Sequence, residues 1–180
     1  MYSIRQATER DLAVLPEIED AAGTLFLDTS YAALASQPNT SANIDPARDH
    51  VWVIAHGHVP VGFLMARDIA GAVHVQELHI HPRFAHRRLG AQLIEHVAHW
   101  ARAKNSPALT LTTFADVPWN APYYSRLGFT MIGADEMPFA LSEILRAEAA
   151  AGFPMRHRVA MRMSLSAPLA LGTAAATQSG

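Results

Sequence analysis

Between His50 and Phe114 the hydrophobic repeat changes twice, and that switch constrains the fold more than any other feature of the chain. His50 to Ala55, Val59 to Ala66 and Ala72 to Ile80 are strand-length runs, separated by His56-Gly57-His58 and by Asp68-Ile69-Ala70-Gly71. Gaps that short join antiparallel neighbours through hairpins, so the three runs predict a meander. Leu89, Leu93, Ile94, Val97, Trp100 and Ala101 then recur at helical spacing to about Ala103. Leu109-Thr110-Leu111-Thr112-Thr113-Phe114 returns to a β-branched strand run. Strand, helix, strand predicts a crossover connection.

The flanks extend this pattern. Tyr2 to Ala7 alternates like a half-buried strand, and Thr8-Glu9-Arg10-Asp11 supplies an N-cap and early acids for a helix. Leu12, Leu15, Ile18 and Ala22 give that helix one apolar face, ending at Gly23. Residues 24–49 are irregular, a segment suited to lining or covering a site. After Phe114 come a loop over Ala115 to Trp119, a short helix over Asn120 to Leu127 closed by Gly128, and a strand over Phe129 to Ile132. A helix over Ser142 to Ala151 and a strand over His157 to Ser164 follow. The chain of 180 residues suits a single core. The expected domain is 1–165, of class α/β (α+β), and the uncharged residues 166–180 read as a flexible tail.

Composition excludes several functions. A net charge of -2 provides no basic field for nucleic acid or an anionic membrane, so neither is an expected partner. The absence of cysteine removes disulfides, thiolate metal sites and cysteine nucleophiles together. The start of the chain has no secretory pattern and no apolar run spans a bilayer, which makes the cytoplasm the expected compartment. Ten histidines raise the question of a metal. His79 with His81 could share a strand face, and His96 with His99 sits at helical spacing. With no HExxH pattern and no thiolates, no metal is expected.

Two segments carry chemistry. Residues 77–94 place a strand, a proline break, a basic turn and Gly90 ahead of the amphipathic helix. A helix start presents unpaired amides and the positive end of a dipole, and Arg83, Arg87 and Arg88 add charge suited to a pyrophosphate-like anion. By these mechanics alone, an ordinary surface turn with exposed arginines is an equal reading. Residues 112–129 join a strand end to a short helix holding Tyr123 and Tyr124 and closing in Leu127-Gly128-Phe129.

Together the two segments resemble the GNAT superfamily of N-acetyltransferases, which use acetyl-CoA, and the element order over residues 2–164 is similar too. The resemblance implies a mixed, mostly antiparallel sheet flanked by helices, with a splay between the fourth and fifth strands. The family's pyrophosphate turn aligns with Ala85-His86-Arg87-Arg88-Leu89-Gly90, where only the last glycine keeps the family pattern: Ala85 replaces Arg or Gln, and Arg88 replaces a glycine. The implied cofactor-binding set is therefore His86, Arg87, Arg88, Leu89, Gly90 and Ala91, with Leu78, His79 and Ile80 along the pantetheine arm. Asn120 matches the family's asparagine near the pantetheine or the thiol end of the cofactor. Tyr124 matches the tyrosine that protonates the departing thiolate, whereas Tyr123 reads as a packing residue.

Acyl transfer to an amine also needs an acceptor for the amine's proton. Glu77 is the first candidate, His79 the second and His74 a weaker third, with water left open. Strict alternation places Val75, Glu77, His79 and His81 on one face unless a bulge intervenes. Glu17, Glu19, Asp20, Asp28 and Asp49 read as surface acids able to attract a cation. The expected activity is direct acetyl transfer from acetyl-CoA to a primary amine, with a small-molecule acceptor favoured over a protein. The other reading is a catalytically silent CoA-binding sensor or structural module. Arg156, Arg158 and Arg162 alternating with Val159, Met161 and Met163 allow a homodimer through the last strands.

Overall fold

A computed structural model describes residues 1–33 and 38–165, so the expected tail at 166–180 lies outside the described residues. The strands are β1 (Tyr2–Gln6), β2 (His50–His56), β3 (Val59–Ile69), β4 (Ala72–Ile80), β5 (Ala108–Phe114), β6 (Thr130–Met131) and β7 (Arg158–Ser164). The helices are α1 (Glu9–Leu12), α2 (Leu15–Gly23), α3 (Leu89–Ala103), α4 (Ala121–Arg126) and α5 (Phe139–Ala150). The strands form one seven-stranded sheet in the order β1-β2-β3-β4-β5-β7-β6. Only β4 and β5 run parallel, and α3 is the crossover between them. The mixed, mostly antiparallel sheet is the one expected.

Each face has its own core. On one side α3 lays Leu89, Leu93, Ile94, Val97 and Ala101 over Trp52, Ile54, Leu64, Val73, Val75, Leu109, Leu111 and Met161. On the other, Leu15 and Ile18 of α2 meet Val51, Val53, Phe63 and Met65, and Leu141 and Leu145 of α5 meet Ala160. Apolar burial of roughly 1.5–3 kcal/mol per large side chain makes this two-sided assignment the dominant restraint on register.

Three boundaries differ from the sequence expectation. The first helix is two, because Pro16 lacks an amide hydrogen and stands in the first turn of α2. The turn after β3 contracts to Ala70-Gly71, both with positive φ, which lets β3 continue to Ile69. The strand expected at Phe129 to Ile132 shrinks to a two-residue edge, with Phe129 buried in the core instead.

Candidate active site

The parallel pairing of β4 with β5 is confined to Val73–Val75 against Leu109–Leu111. Beyond it β4 continues to Ile80, while β5 stays paired with β7 as far as Phe114 opposite Arg158. The two strands therefore splay, and the sheet opens between its two cores.

A bulge decides what faces the opening. Met65 pairs with Glu77, but the next residue, Ala66, pairs with Val75, so Gln76 is an extra residue. Before it Val73 and Val75 point into the α3-side core; after it Leu78 and Ile80 do. Glu77 and His79 are thereby turned onto the α2 side, where the His79 ring lies 5.2 Å from Phe63. The single face expected by strict alternation does not form: Val75 is opposite Glu77 and His79, and His81 belongs to the following turn, accepting the Arg83 amide. Gln76 Oε1 is the one buried side-chain polar atom without a partner among the described residues.

Backbone direction follows from two contacts. The His81 amide donates to Val61 O at 2.9 Å, and the His79 carbonyl faces Gly62 of β3. By alternation the peptide groups of Leu78 and Ile80 face the splay.

On the α2 side His79 Nε2 is 2.8 Å from Glu77 Oε2. A third group joins them: a carboxylate oxygen of Glu19, one of Glu77 and a ring nitrogen of His79 all lie within 4.8 Å of one another. Burial draws the imidazole toward its neutral form, but the hydrogen bond it donates to Glu77 and the charges of Glu77 and Glu19 outweigh this, so the His79 pKa is raised. His74, the third candidate, is elsewhere: it lies buried against Thr110 Oγ1 at 3.0 Å, and burial lowers it to about 4.

On the α3 side, the turn into α3 holds His86 and Arg88 at φ of +61° and +59°. Arg88 thus takes the left-handed conformation a glycine would adopt without strain, at a cost of roughly 1–2 kcal/mol. The Arg87 guanidinium donates to the Tyr2 hydroxyl at 2.9 Å. No side chain among the described residues caps the first turn of α3. Leu89 and Gly90 are buried, Ala91 is half-buried, and a Cβ on Gly90 would come within 2.8 Å of the Tyr123 hydroxyl. Tyr123 therefore fills the space that the glycine leaves, and Arg126 lies over its ring at 6.0 Å.

Asn120 precedes α4, its carbonyl accepting the Tyr124 amide at 2.9 Å. The Tyr124 ring packs on the α3-side core beside Tyr123 and Phe129. Burial raises the pKa of its hydroxyl, the Tyr123 and Glu77 charges reinforce the rise, and the Arg158 charge opposes it. Tyr124 is thus in electrostatic reach of Glu77 on β4 and of Arg158 on β7.

Two sets of contacts around the Phe114–Arg158 end of the β5–β7 pair were not legible in the sequence. Arg158 binds Glu148 of α5 through Nε at 2.9 Å and through a terminal nitrogen at 2.6 Å, and lies over the Phe114 and Phe153 rings. Asp116 accepts the Tyr31 hydroxyl at 2.8 Å and lies 3.2 Å from His157 Nδ1, joining residues from three separate segments. None of these pairs has a local spacing that announces it. Of the acids read as surface groups, Asp49 is buried and paired with Arg67.

The arrangement defines a class: an α/β domain whose mixed sheet splays between two parallel strands, with a long helix starting beside the opening. A sequence profile of the acetyltransferase (GNAT) family matches residues 9–129, and the chain belongs to that family. Solved structures of the same fold include a GNAT-family acetyltransferase from Staphylococcus aureus Mu50, 14% identical with a TM-score of 0.67, covering 92% of this chain and 100% of that one. PaiA N-acetyltransferase from Thermoplasma acidophilum, solved with coenzyme A, is 13% identical with a TM-score of 0.64, covering 91% and 99%. The ribosomal-protein-S18-alanine N-acetyltransferase of Escherichia coli is 17% identical with a TM-score of 0.61, covering 93% and 96%. No helix among the described residues is long and apolar enough to cross a membrane.

Proposed function

We propose that the protein transfers an acetyl group from acetyl-CoA to the primary amine of a small molecule by direct attack. The observation that carries this reading is the bulge at Gln76, which sets Glu77 and His79 beside a splay whose other flank holds Tyr124. The donor would lie on the α3 side, its pyrophosphate against the uncapped amides of the α3 start, with Arg88 and the half-buried Ala91 at that turn. The unpartnered Gln76 Oε1 and the free peptide edge at Leu78 and Ile80 fit a ligand that brings amide groups of its own. Asn120 would meet the thiol end.

The acceptor would enter from the α2 side. Its nitrogen attacks the thioester carbon while peptide N–H groups of Leu78 and Ile80 polarise the carbonyl oxygen. The carbon–sulfur bond breaks, the amine's proton passes to the Glu77–His79 pair, and the departing thiolate takes the Tyr124 hydroxyl proton. Neither a covalent enzyme intermediate nor a metal enters the scheme. Because Glu77 and His79 share a hydrogen bond, the pair acts as one proton acceptor.

The test is thiol release from acetyl-CoA across a panel of small primary amines, read for wild type and Glu77→Gln. The reading expects release with at least one amine and a loss of about a hundredfold or more in the variant. Firm acetyl-CoA binding without release on any amine would favour the silent CoA-binding module instead.

A further inference from the structure

Glu19 stands out among the acids of the first helices. Its Oε1 accepts the Thr40 amide at 2.9 Å, and its Oε2 accepts the Ser41 amide at 2.9 Å and the Ser41 hydroxyl at 2.5 Å. One carboxylate on α2 thus fixes the start of the short helical turn over Thr40–Asn43, and Ser41 is buried by the contact. The same carboxylate lies within 4.8 Å of a Glu77 carboxylate oxygen and a His79 ring nitrogen. A carboxylate needed only to hold a turn would gain nothing from facing two ionisable groups on another element, and a second acid beside Glu77 carries a repulsive cost.

We propose that Glu19 is a positioning residue for the proton-accepting pair: it anchors the Thr40–Asn43 turn from α2 and sets a second negative charge against His79, so that the proton is held by a three-member unit spanning α2 and β4. The proposal rests on the acetyl-transfer reading above. The charged groups facing His79 are Glu77 from its own strand and Glu19 from α2, while β3 presents the neutral Phe63 ring. With both carboxylates present the imidazolium is favoured, and an arriving ammonium meets two negative charges and one positive. Removing the Glu19 charge weakens the hold on the proton, so the unit reaches its accepting form at lower pH. The two tasks of Glu19 are separable, since Ser41→Ala removes one bond to the turn and leaves the carboxylate in place.

The test is the NMR titration of the His79 ring in the full chain, assigned by its loss in His79→Asn, for wild type, Glu19→Gln, Glu19→Asp and Ser41→Ala. Glu19→Gln lowers the His79 midpoint by about half to one pH unit. Glu19→Asp, which keeps the charge on a shorter arm, gives a smaller drop and carries the test should Glu19→Gln fold poorly, and Ser41→Ala leaves the midpoint in place. In thiol release, the rising limb of the pH profile shifts down with the midpoint. A His79 midpoint unchanged in both Glu19 variants, or moved as far by Ser41→Ala, overturns the proposal. Acetyl-CoA binding by Glu19→Gln is measured alongside: absence of binding in wild type as well would refute the acetyl-transfer reading, whereas the ring titration judges Glu19 by itself.

Discussion

Tyr124 is the residue whose chemistry can be removed with least disturbance. Its ring packs in the core, while its hydroxyl makes no hydrogen bond among the described residues. Tyr124→Phe should leave the unfolding free energy within about 0.5 kcal/mol of wild type and acetyl-CoA affinity unchanged, while thiol release falls about a hundredfold. Parallel urea unfolding, calorimetry and kinetics check the three parts, and an unaltered rate would remove Tyr124 from the reaction. Tyr124 and Asn120 could be singled out beforehand because they stand in a local motif ending at Phe129. Glu19 could not: its partners are at positions 40, 41, 77 and 79, and only the packing of α2 on β4 brings these together.

At the scale of elements, the bulge and the turn into α3 govern the site. Gly62 lies opposite the end of β4, where a Cβ would collide with Ile80 Cδ1 and come within 2.8 Å of the His79 carbonyl oxygen. The backbone contact cannot be relieved by a rotamer change, so Gly62→Ala should cost about 1–3 kcal/mol and slow transfer by displacing the His79 segment. Full activity at wild-type stability would show that β4 yields without consequence. Arg88→Gly makes the opposite trade. It relieves a left-handed non-glycine residue, for a net gain of about 0.5–1 kcal/mol after glycine's entropy, and removes a cation that has no ion-pair partner among the described residues. Stability should rise while acetyl-CoA binding weakens and becomes less salt-dependent. The strands and the turn were legible because their periodicity and glycine punctuation are local. The bulge was not, since Val75-Gln76-Glu77-Leu78 alternates acceptably in either register and only the packing of Leu78 and Ile80 selects one.

For the whole molecule, the order of elements was readable from the sequence, including the crossover that makes β4 and β5 parallel. The contacts of Arg158 with Glu148 and of Tyr31 with Asp116 were not, because each joins two different elements and only the tertiary packing brings the partners together. Global stability carries its own signature through His74. Its pKa of about 4 in the folded protein lies below the ordinary value of 6.5, because burial disfavours the charged ring. Between those two values the unfolded chain binds the proton and the folded one does not, so stability falls as pH drops from about 6.5 to 4, by up to about 3 kcal/mol. His79 does not offset this: its raised pKa contributes stability that is fully present below the unfolded value and is lost only as pH rises through the folded one. Urea midpoints against pH should therefore be flatter for His74→Asn, and equal slopes would contradict the assignment. The central claim, that the splay between β4 and β5 receives acetyl-CoA, is tested most directly by calorimetric titration of the wild type and of Asn120→Ala with acetyl-CoA at fixed moderate salt. The account predicts micromolar binding, weakened about tenfold in the variant by the loss of one hydrogen bond to the ligand. No binding at millimolar acetyl-CoA, or binding indifferent to Asn120, would contradict it.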